Sequence, residues 1–286
     1  MVVRRARVVD PGLTSLPGGS LRTVTEESAA HAAHVELESV RLAFGERTVF
    51  QDLSCRFARS RITVLMGASG TGKSTVLRMI GGLQRPDSGQ VRVAGEDVAS
   101  LPGSEVQRVR RRLGMLFQDG ALLDSMTVLE NVGLPLREHT QLGEGEIRDA
   151  VHERLAAVGL EGVDDLLPGE LSGGMLRRVA LARAIIMDPE FILCDEPFSG
   201  LDPPNVERIE ALFSELCRSR GLTLIVTSHH MASSLRMSDQ IVLLRDGRAV
   251  TGTPGSLATS GDPEITNFLG TDGAVLARQV SAETAT

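Results

Sequence analysis

The spacing of apolar residues changes character several times along the chain. Val35-Glu36-Leu37-Glu38-Ser39-Val40 alternates between apolar and polar, which predicts a half-buried strand. Gly45-Glu46 predicts a turn and Thr48-Val49-Phe50 a returning strand, and residues 91 to 98 resume strand texture around a turn at Ala94-Gly95-Glu96. Other runs do not alternate. Ile62-Thr63-Val64-Leu65-Met66, Phe191-Ile192-Leu193-Cys194 and Leu222-Thr223-Leu224-Ile225-Val226 are short and continuously apolar, the pattern of parallel strands buried on both faces. Leu113 to Phe117 and Ile241-Val242-Leu243-Leu244 predict two more strands, the second ending at a turn, Asp246-Gly247. Helical periods occupy Ser74 to about Gly81, Glu105 to Arg112 and about Pro203 to Arg218. Between about Asp119 and Met187 the pattern is mostly helical, with no clear strand.

Strands alternating with helices imply an α/β fold. The early returning strands add an antiparallel β subdomain, and the helical middle adds an inserted α-helical subdomain. The expected division is a flexible tail at 1–34, a main domain at 35–255 with its helical subdomain at about 119–187, and a C-terminal extension at 256–286. Residues Ser281 to Thr286 are expected to be disordered.

Composition narrows the function classes. The 286 residues are 42% hydrophobic and 23% charged, with a net charge of −7, so nothing favours a nucleic-acid partner. The basic face Arg108, Arg110, Arg111 and Arg112 lacks interleaved aromatics and is expected to be solvated. Cys55, Cys194 and Cys217 are widely spaced and are expected as free thiols in a reducing compartment. No run reaches the roughly 18 to 20 apolar residues of a membrane span. Arg4, Arg5 and Arg7 are followed by Asp10-Pro11-Gly12 rather than the apolar stretch of a signal peptide. A cytoplasmic location is therefore expected. Of the 30 basic side chains only one is lysine, Lys73. A compact ammonium fits between phosphate oxygens where a planar guanidinium does not, so the lysine marks a position that arginine cannot fill.

Lys73 lies in Gly67-Ala68-Ser69-Gly70-Thr71-Gly72-Lys73-Ser74, which fits G-x-x-x-x-G-K-[ST] and follows a predicted strand. The glycines let the backbone fold into a nest of N–H donors around phosphates, and the helix that starts there aims its positive end at them. Lys73 is expected on the β- and γ-phosphates of ATP, Ser74 on Mg²⁺, and Thr75 completes the binding set. The strand Phe191 to Cys194 ends in Asp195-Glu196. Charges cannot sit inside a sheet buried on both faces, so both acids emerge at its C-terminal edge, where α/β proteins bind ligands. Asp195 is placed to hold Mg²⁺ and Glu196 to orient and deprotonate an attacking water.

With these residues in place, Leu171-Ser172-Gly173-Gly174-Met175 resembles the signature motif of ABC ATPases. Ser172 and two glycines opening a helix make a second anion-binding N-terminus, which one ATP does not need from one subunit. The resemblance implies a P-loop NTPase core of the ABC ATPase type and a head-to-tail homodimer, in which Ser172, Gly173 and Gly174 face the ATP held by the other copy. It further implies that Phe44 stacks on adenine, that Gln118 contacts Mg²⁺ and senses a membrane subunit, that Asp202 of Ser199-Gly200-Leu201-Asp202 crosses the dimer interface, and that His229 contacts the γ-phosphate. His230 is adjacent, and the spacing of Ser228-His229 after the strand favours His229. The resemblance covers about residues 35 to 260.

Two departures narrow it. Position 175 is Met where Gln is usual, and position 198 is Phe where Thr is usual. Both resemble the ATPases of Mla (Mce-type) phospholipid-transport systems, as do Met115-Leu116-Phe117-Gln118-Asp119-Gly120-Ala121-Leu122 and Pro135 to Leu142. The latter stretch is expected either as a helix start or as a partner contact. This resemblance implies an ATPase on the inner face of the inner membrane that powers phospholipid transport between membranes. Its partners would be a Mce-type permease dimer, a STAS-domain regulator and a Mce-domain lipid-binding protein. The alternatives are the ATPase of an amino-acid or ion importer and a non-transport ABC ATPase acting on nucleic acid or ribosomes. The stretch from Pro254 to Leu269 resembles the end of the same ATPases and is expected to dock on a neighbouring subunit.

Overall fold

The computed structural model describes residues 33–284, with side chains as far as Ser281. The tail expected at 1–34 therefore falls, as far as residue 32, outside the described residues. Two sheets organise the rest. Strands β1 (Ala33–Phe44), β2 (Arg47–Ala58), β4 (Ser88–Val93) and β5 (Glu96–Asp97) form an antiparallel sheet in the order β2-β1-β4-β5. Strands β3 (Ile62–Met66), β6 (Leu113–Leu116), β7 (Phe191–Asp195), β8 (Thr223–Thr227), β9 (Gln240–Arg245) and β10 (Arg248–Gly252) form the second, in the order β10-β9-β3-β8-β7-β6. From β9 to β6 every pairing is parallel; only the edge strand β10 runs antiparallel.

The continuous apolar runs have the cause inferred from the sequence: both faces of the parallel sheet are covered. Leu65, Phe191, Leu193, Ile225 and Val242 point toward the antiparallel sheet and toward α1 (Lys73–Ile80), with Val76, Leu77 and Ile80 between the layers. Val64, Met66, Ile192, Cys194, Leu224 and Val226 point the other way, onto α5 (Gly173–Ile185) and α6 (Pro203–Arg220). Helix α2 (Gly103–Arg110) leads into β6. The stretch 119–187 carries α3 (Val128–His139), α4 (Glu144–Ala157) and α5, and no strand is assigned there.

Four local readings differ from the sequence expectation. Pro135 to Leu142 is the end of α3 and the loop after it, not a helix start: a capping box between Thr127 and Glu130 begins the helix a full two turns earlier. The returning strand runs on to Ala58, because Leu53, Cys55 and Phe57 continue its alternation into the core. Strand β10 pairs antiparallel with β9 after the Asp246-Gly247 turn, although its side chains are only half buried. The C-terminal stretch forms α8 (Pro254–Ala258) and α9 (Pro263–Thr284), which packs on α8 and on α7 (Met231–Met237) of its own chain. Leu257, Ile265 and Leu269 join the main core, and the helix is assigned as far as Thr284, where disorder was expected from Ser281 on. Gly270, with φ 58 and ψ −143, kinks α9 at its middle.

At the edge of the parallel sheet away from the site, Glu190 ties the layers together. Arg112 Nε and Nη2 donate to its two oxygens at 2.6 and 3.0 Å, and Arg59 Nη2 donates at 3.3 Å. The buried His34 lies 3.3 Å away through Nε2, and its Nδ1 lies 2.8 Å from Thr223 Oγ1. The Arg112 hydrogen bond is the largest cause holding the Glu190 carboxyl below its usual range. A depressed carboxyl stabilises the fold above its unfolded pKa and loses that contribution as pH falls through its folded one. Glu190→Gln is therefore expected to lower stability at pH 7 by roughly 1 kcal/mol after discounting for solvent screening. The gap to the parent should close as pH falls below about 4. Thermal melts of both proteins across that range check it, and a gap independent of pH would reject the ion pairs as the cause.

Candidate active site

Parallel strands bring their C-terminal ends to one edge, and the chemistry collects there. Asp195 pairs in register with Thr227, and Leu65 with Thr227 on its other side, so the loops after β3, β7 and β8 leave the sheet side by side. They border an open cleft of about 770 Å³ lined by Lys73, Ser74, Gln118, Glu196 and His229, with Phe44 at its mouth.

The loop between β3 and α1 needs its glycines. Gly67, Gly70 and Gly72 all have positive φ, at 149°, 79° and 99°. A Cβ on Gly72 would stand 2.5 Å from the ring of Phe50, so the loop is also clamped from behind by the antiparallel sheet. Thr71 Oγ1 donates to Ala68 O at 2.9 Å, and Arg47 Nη2 donates to Gly70 O at 3.2 Å. Lys73, 7% exposed, folds over this loop: Nζ donates to Gly67 O at 3.0 Å and to Ala68 O at 3.3 Å. Burial pushes the Lys73 ammonium below its ordinary pKa, and the carboxylates of Glu196 and Asp195 push back.

The two acids sit differently. Asp195 ends its strand facing Ser74: Ser74 Oγ donates to Asp195 Oδ1 at 3.1 Å, and Thr227 Oγ1 donates to the same oxygen at 2.6 Å. Glu196, one residue on, has φ 49°, a left-handed backbone that side chains with a Cβ seldom adopt. Its N–H is held by Thr227 O and Oγ1 at 3.2 and 3.0 Å. This turn swings the carboxylate away from Asp195 and into the cleft. Glu196 Oε2 accepts from the backbone N–H of His229 at 3.1 Å, while Oε1 is buried and accepts no hydrogen bond among the described residues. His229 Nε2 lies between Lys73 Nζ, at 3.0 Å, and Glu196 Oε1, at 3.3 Å.

The structure thus brings Phe44, Ser69, Gly70, Gly72, Lys73, Ser74, Thr75, Gln118, Glu196 and His229 to one cleft. Gly67, Ala68 and Thr71 form the back of the loop, and Asp195 reaches the cleft through Ser74. Phe44 keeps half its surface exposed, as a stacking platform must. His230 also borders the cleft, but its Nδ1 is held by Ser233 Oγ at 2.7 Å, whereas His229 reaches Lys73 and Glu196.

Ser172, Gly173 and Gly174 do not border this cleft. Ser172 caps α5, accepting from Met175 N at 3.2 Å, and is exposed. A Cβ on Gly174 would stand 2.3 Å from Asn205 Oδ1, so this glycine lets the signature segment pack on the start of α6, where Asp202 is the N-cap. Sequence reasoning missed Thr227, Arg47 and Asn205. Thr227 was findable: a polar residue closing an otherwise apolar strand beside Asp195 has to face the site edge. Arg47 and Asn205 carry no local signal, since their contacts are long-range.

An oxygen donor set fits a hard divalent cation. Ser74 Oγ and Asp195 Oδ1 are adjacent, and Gln118 shares the cleft, which suits Mg²⁺ with few protein ligands beside phosphate oxygens. Among the described residues no three His, Cys, Asp or Glu side chains form a self-sufficient metal cage, and no helix is long and apolar enough to cross a membrane.

Comparison with known proteins agrees with this geometry. Residues 50–199 match the ABC transporter family. The intermembrane phospholipid transport system ATP-binding protein MlaF of Escherichia coli is 42% identical over 85% of this chain and 90% of its own length. MlaF of Haemophilus influenzae is 41% identical over 82% and 89%. The probable ribonucleotide transport ATP-binding protein mkl of Mycobacterium tuberculosis is 39% identical over 82% of this chain and 66% of its own. Among solved structures, a dimeric post-hydrolysis state of the ATP-binding cassette MJ0796 bound to ADP and Pi superposes with a TM-score of 0.71, at 32% identity over 77% of this chain and 98% of that one. By its family match and these relatives, the chain belongs to the ABC transporter ATP-binding family and is an ATP hydrolase.

Proposed function

We propose that this chain powers phospholipid transport between the inner and outer membranes of a cell, as the ATPase of a Mla-type system. The observation that carries this reading is the 42% identity to a phospholipid-system ATPase over nine tenths of that relative's length. Met175 and Phe198 support it as the two departures from the usual cassette pattern. Phe198 is buried, 6.1 Å from Phe213 and 6.2 Å from His230 between ring centroids, so it shapes the wall beside the hydrolytic residues.

In this reading ATP binds with its phosphates in the Gly67–Ser74 loop and its adenine on Phe44. Ser74, Asp195 and Gln118 would hold Mg²⁺, which would supply neutralisation of phosphate charge when bound. Glu196 Oε1, the buried oxygen without a donor, orients a water and takes its proton as the water oxygen bonds to the γ-phosphorus. The bond from the γ-phosphorus to the bridging oxygen breaks, leaving ADP and inorganic phosphate. His229 and Lys73 stabilise the charge on the transferred group.

Ser172, Gly173 and Gly174 lie outside the cleft of their own chain, which fits a second copy turned head to tail. Each copy then closes the other's ATP with its signature helix end, and Asp202 lies at the contact. The membrane partner is a Mce-type permease dimer, with a STAS-domain regulator and a Mce-domain lipid-binding protein in the complex. The chain sits peripherally on the inner face of the inner membrane. The mycobacterial relatives named for ribonucleotide transport give the second reading.

Purification from membranes, followed by mass spectrometry of extracted small molecules, separates the two. Glycerophospholipid in stoichiometric amount with a multi-span partner is the expected result. A ribonucleotide cargo, an amino acid or a metal ion in its place, or ribosomes in place of a membrane protein, would reject phospholipid transport.

A further inference from the structure

Helix α5 carries more of the site than its capped end. Six residues beyond Arg177, Arg183 donates through its two terminal nitrogens to Ala121 O at 2.8 Å and Gly120 O at 2.7 Å, just after Gln118. Arg177 Nη2 donates to Ser199 O at 3.3 Å, in the turn that follows Glu196. One helix therefore holds the segment after Gln118 and the segment after Glu196, while Ser172 is its N-cap.

Arg177 stands in a costly place. It is 7% exposed, and its Nε is buried with no acceptor among the described residues. Burial pushes its guanidinium below the ordinary pKa, and only the Asp119 carboxylate pushes back. A buried cation with one protein hydrogen bond and an unpaired N–H is less favourable than an apolar side chain of the same size. Its neighbours indicate what offsets that cost. Glu196 is held in a left-handed backbone conformation, which persists only when the surroundings over-determine it. On one side Thr227 holds the Glu196 N–H. On the other, Ser199 N donates to Glu196 O at 3.2 Å, and the carbonyl of Ser199 is the group that Arg177 grips.

We propose that Arg177 is a positioning residue for ATP hydrolysis: its hydrogen bond to Ser199 O fixes the Glu196–Ser199 turn and with it the direction of the Glu196 carboxylate. Arg177 does not border the cleft and acts on the reaction only through this turn. The inference rests on Glu196 being the group that activates water.

The test compares Arg177→Met, Arg177→Gln and Arg177→Lys in the full-length chain with ATP and Mg²⁺, reading kcat, KM and Tm. Arg177→Met is expected to lower kcat about ten- to a hundredfold, the cost of misplacing a reacting group by about an ångström. Its KM should be unchanged and its Tm unchanged or raised. Arg177→Gln keeps a donor without the charge, and Arg177→Lys keeps both in another shape; each should recover part of the loss. Parental kcat in Arg177→Met overturns the proposal. So does a kcat loss matched by a fall in Tm, or Lys and Gln variants no better than Met, because either marks a merely structural side chain. Glu196→Gln, measured alongside, separates the two readings. Normal turnover there removes Glu196 as the base, whereas normal turnover of Arg177→Met beside an inactive Glu196→Gln overturns the role of Arg177 alone.

Discussion

Glu196→Gln is expected to bind ATP as tightly as the parent while losing turnover by about 10²- to 10⁴-fold, the usual contribution of a positioned general base. The amide is isosteric, so the left-handed turn, the bond from His229 N–H to the retained oxygen and the packing around it should survive. What is lost is proton affinity at the buried oxygen that accepts no hydrogen bond. Pre-steady-state phosphate release and nucleotide binding, measured on the same preparation, check both halves. Copies of the variant are expected to stay paired around unhydrolysed ATP, read as a species that elutes earlier than the monomer on size exclusion. A second consequence follows from charge. Glu196 is the larger of the two carboxylate influences that raise the pKa of Lys73 against its burial. Removing it lets the ammonium lose its proton at lower pH, so ATP binding by the variant should fall off on the alkaline side before that of the parent. Parental turnover would remove Glu196 as the base; parental turnover with a shifted alkaline limb would leave it only an electrostatic role.

How far the sequence carried this picture depends on the range of the interactions involved. The phosphate loop and the apolar strands were legible because their physics is local: glycines for positive φ, and continuous apolar runs for a sheet covered on both faces. The placing of Asp195 and Glu196 at one strand end followed from the same argument. The turn that sends them in different directions did not, because it depends on Thr227 from the neighbouring strand. Strand β10 escaped notice since its residues are half buried and borrow their strand character from β9. Helix α9 was hidden for a related reason. Its Ile265 and Leu269 are core residues only because α7 and α8 cover them, and the many small and polar residues after Gly270 imitate a loose end. Arg177 had no sequence signal at all: a basic residue on a helix rich in arginine looks solvated until the turn at Ser199 is placed against it.

Lys73 gives the second large effect, and it tests the reasoning from composition. Lys73→Ala is expected to cost on the order of 10²- to 10³-fold in turnover, as does removing one donor to the developing charge. It should also weaken ATP binding, because the side chain meets the phosphates before and during reaction. Lys73→Arg is the more discriminating variant. Nζ fits between Gly67 O, Ala68 O and His229 Nε2, at 3.0, 3.3 and 3.0 Å, a pocket shaped for a point charge. The loop cannot widen to admit a planar fork, because Gly72 is backed by Phe50 and Gly67 by the carbonyl of Leu244. The chain uses arginine for every other basic side chain, so a site that accepted arginine had every opportunity to carry one. Lys73→Arg should therefore lose nearly as much kcat/KM as Lys73→Ala while melting near the parental temperature, since the guanidinium that the loop cannot seat has room in the open cleft beside it. Steady-state kinetics and a melting curve decide it. Near-parental kcat/KM in Lys73→Arg would mean that charge alone suffices at this position and that the single lysine says nothing about shape.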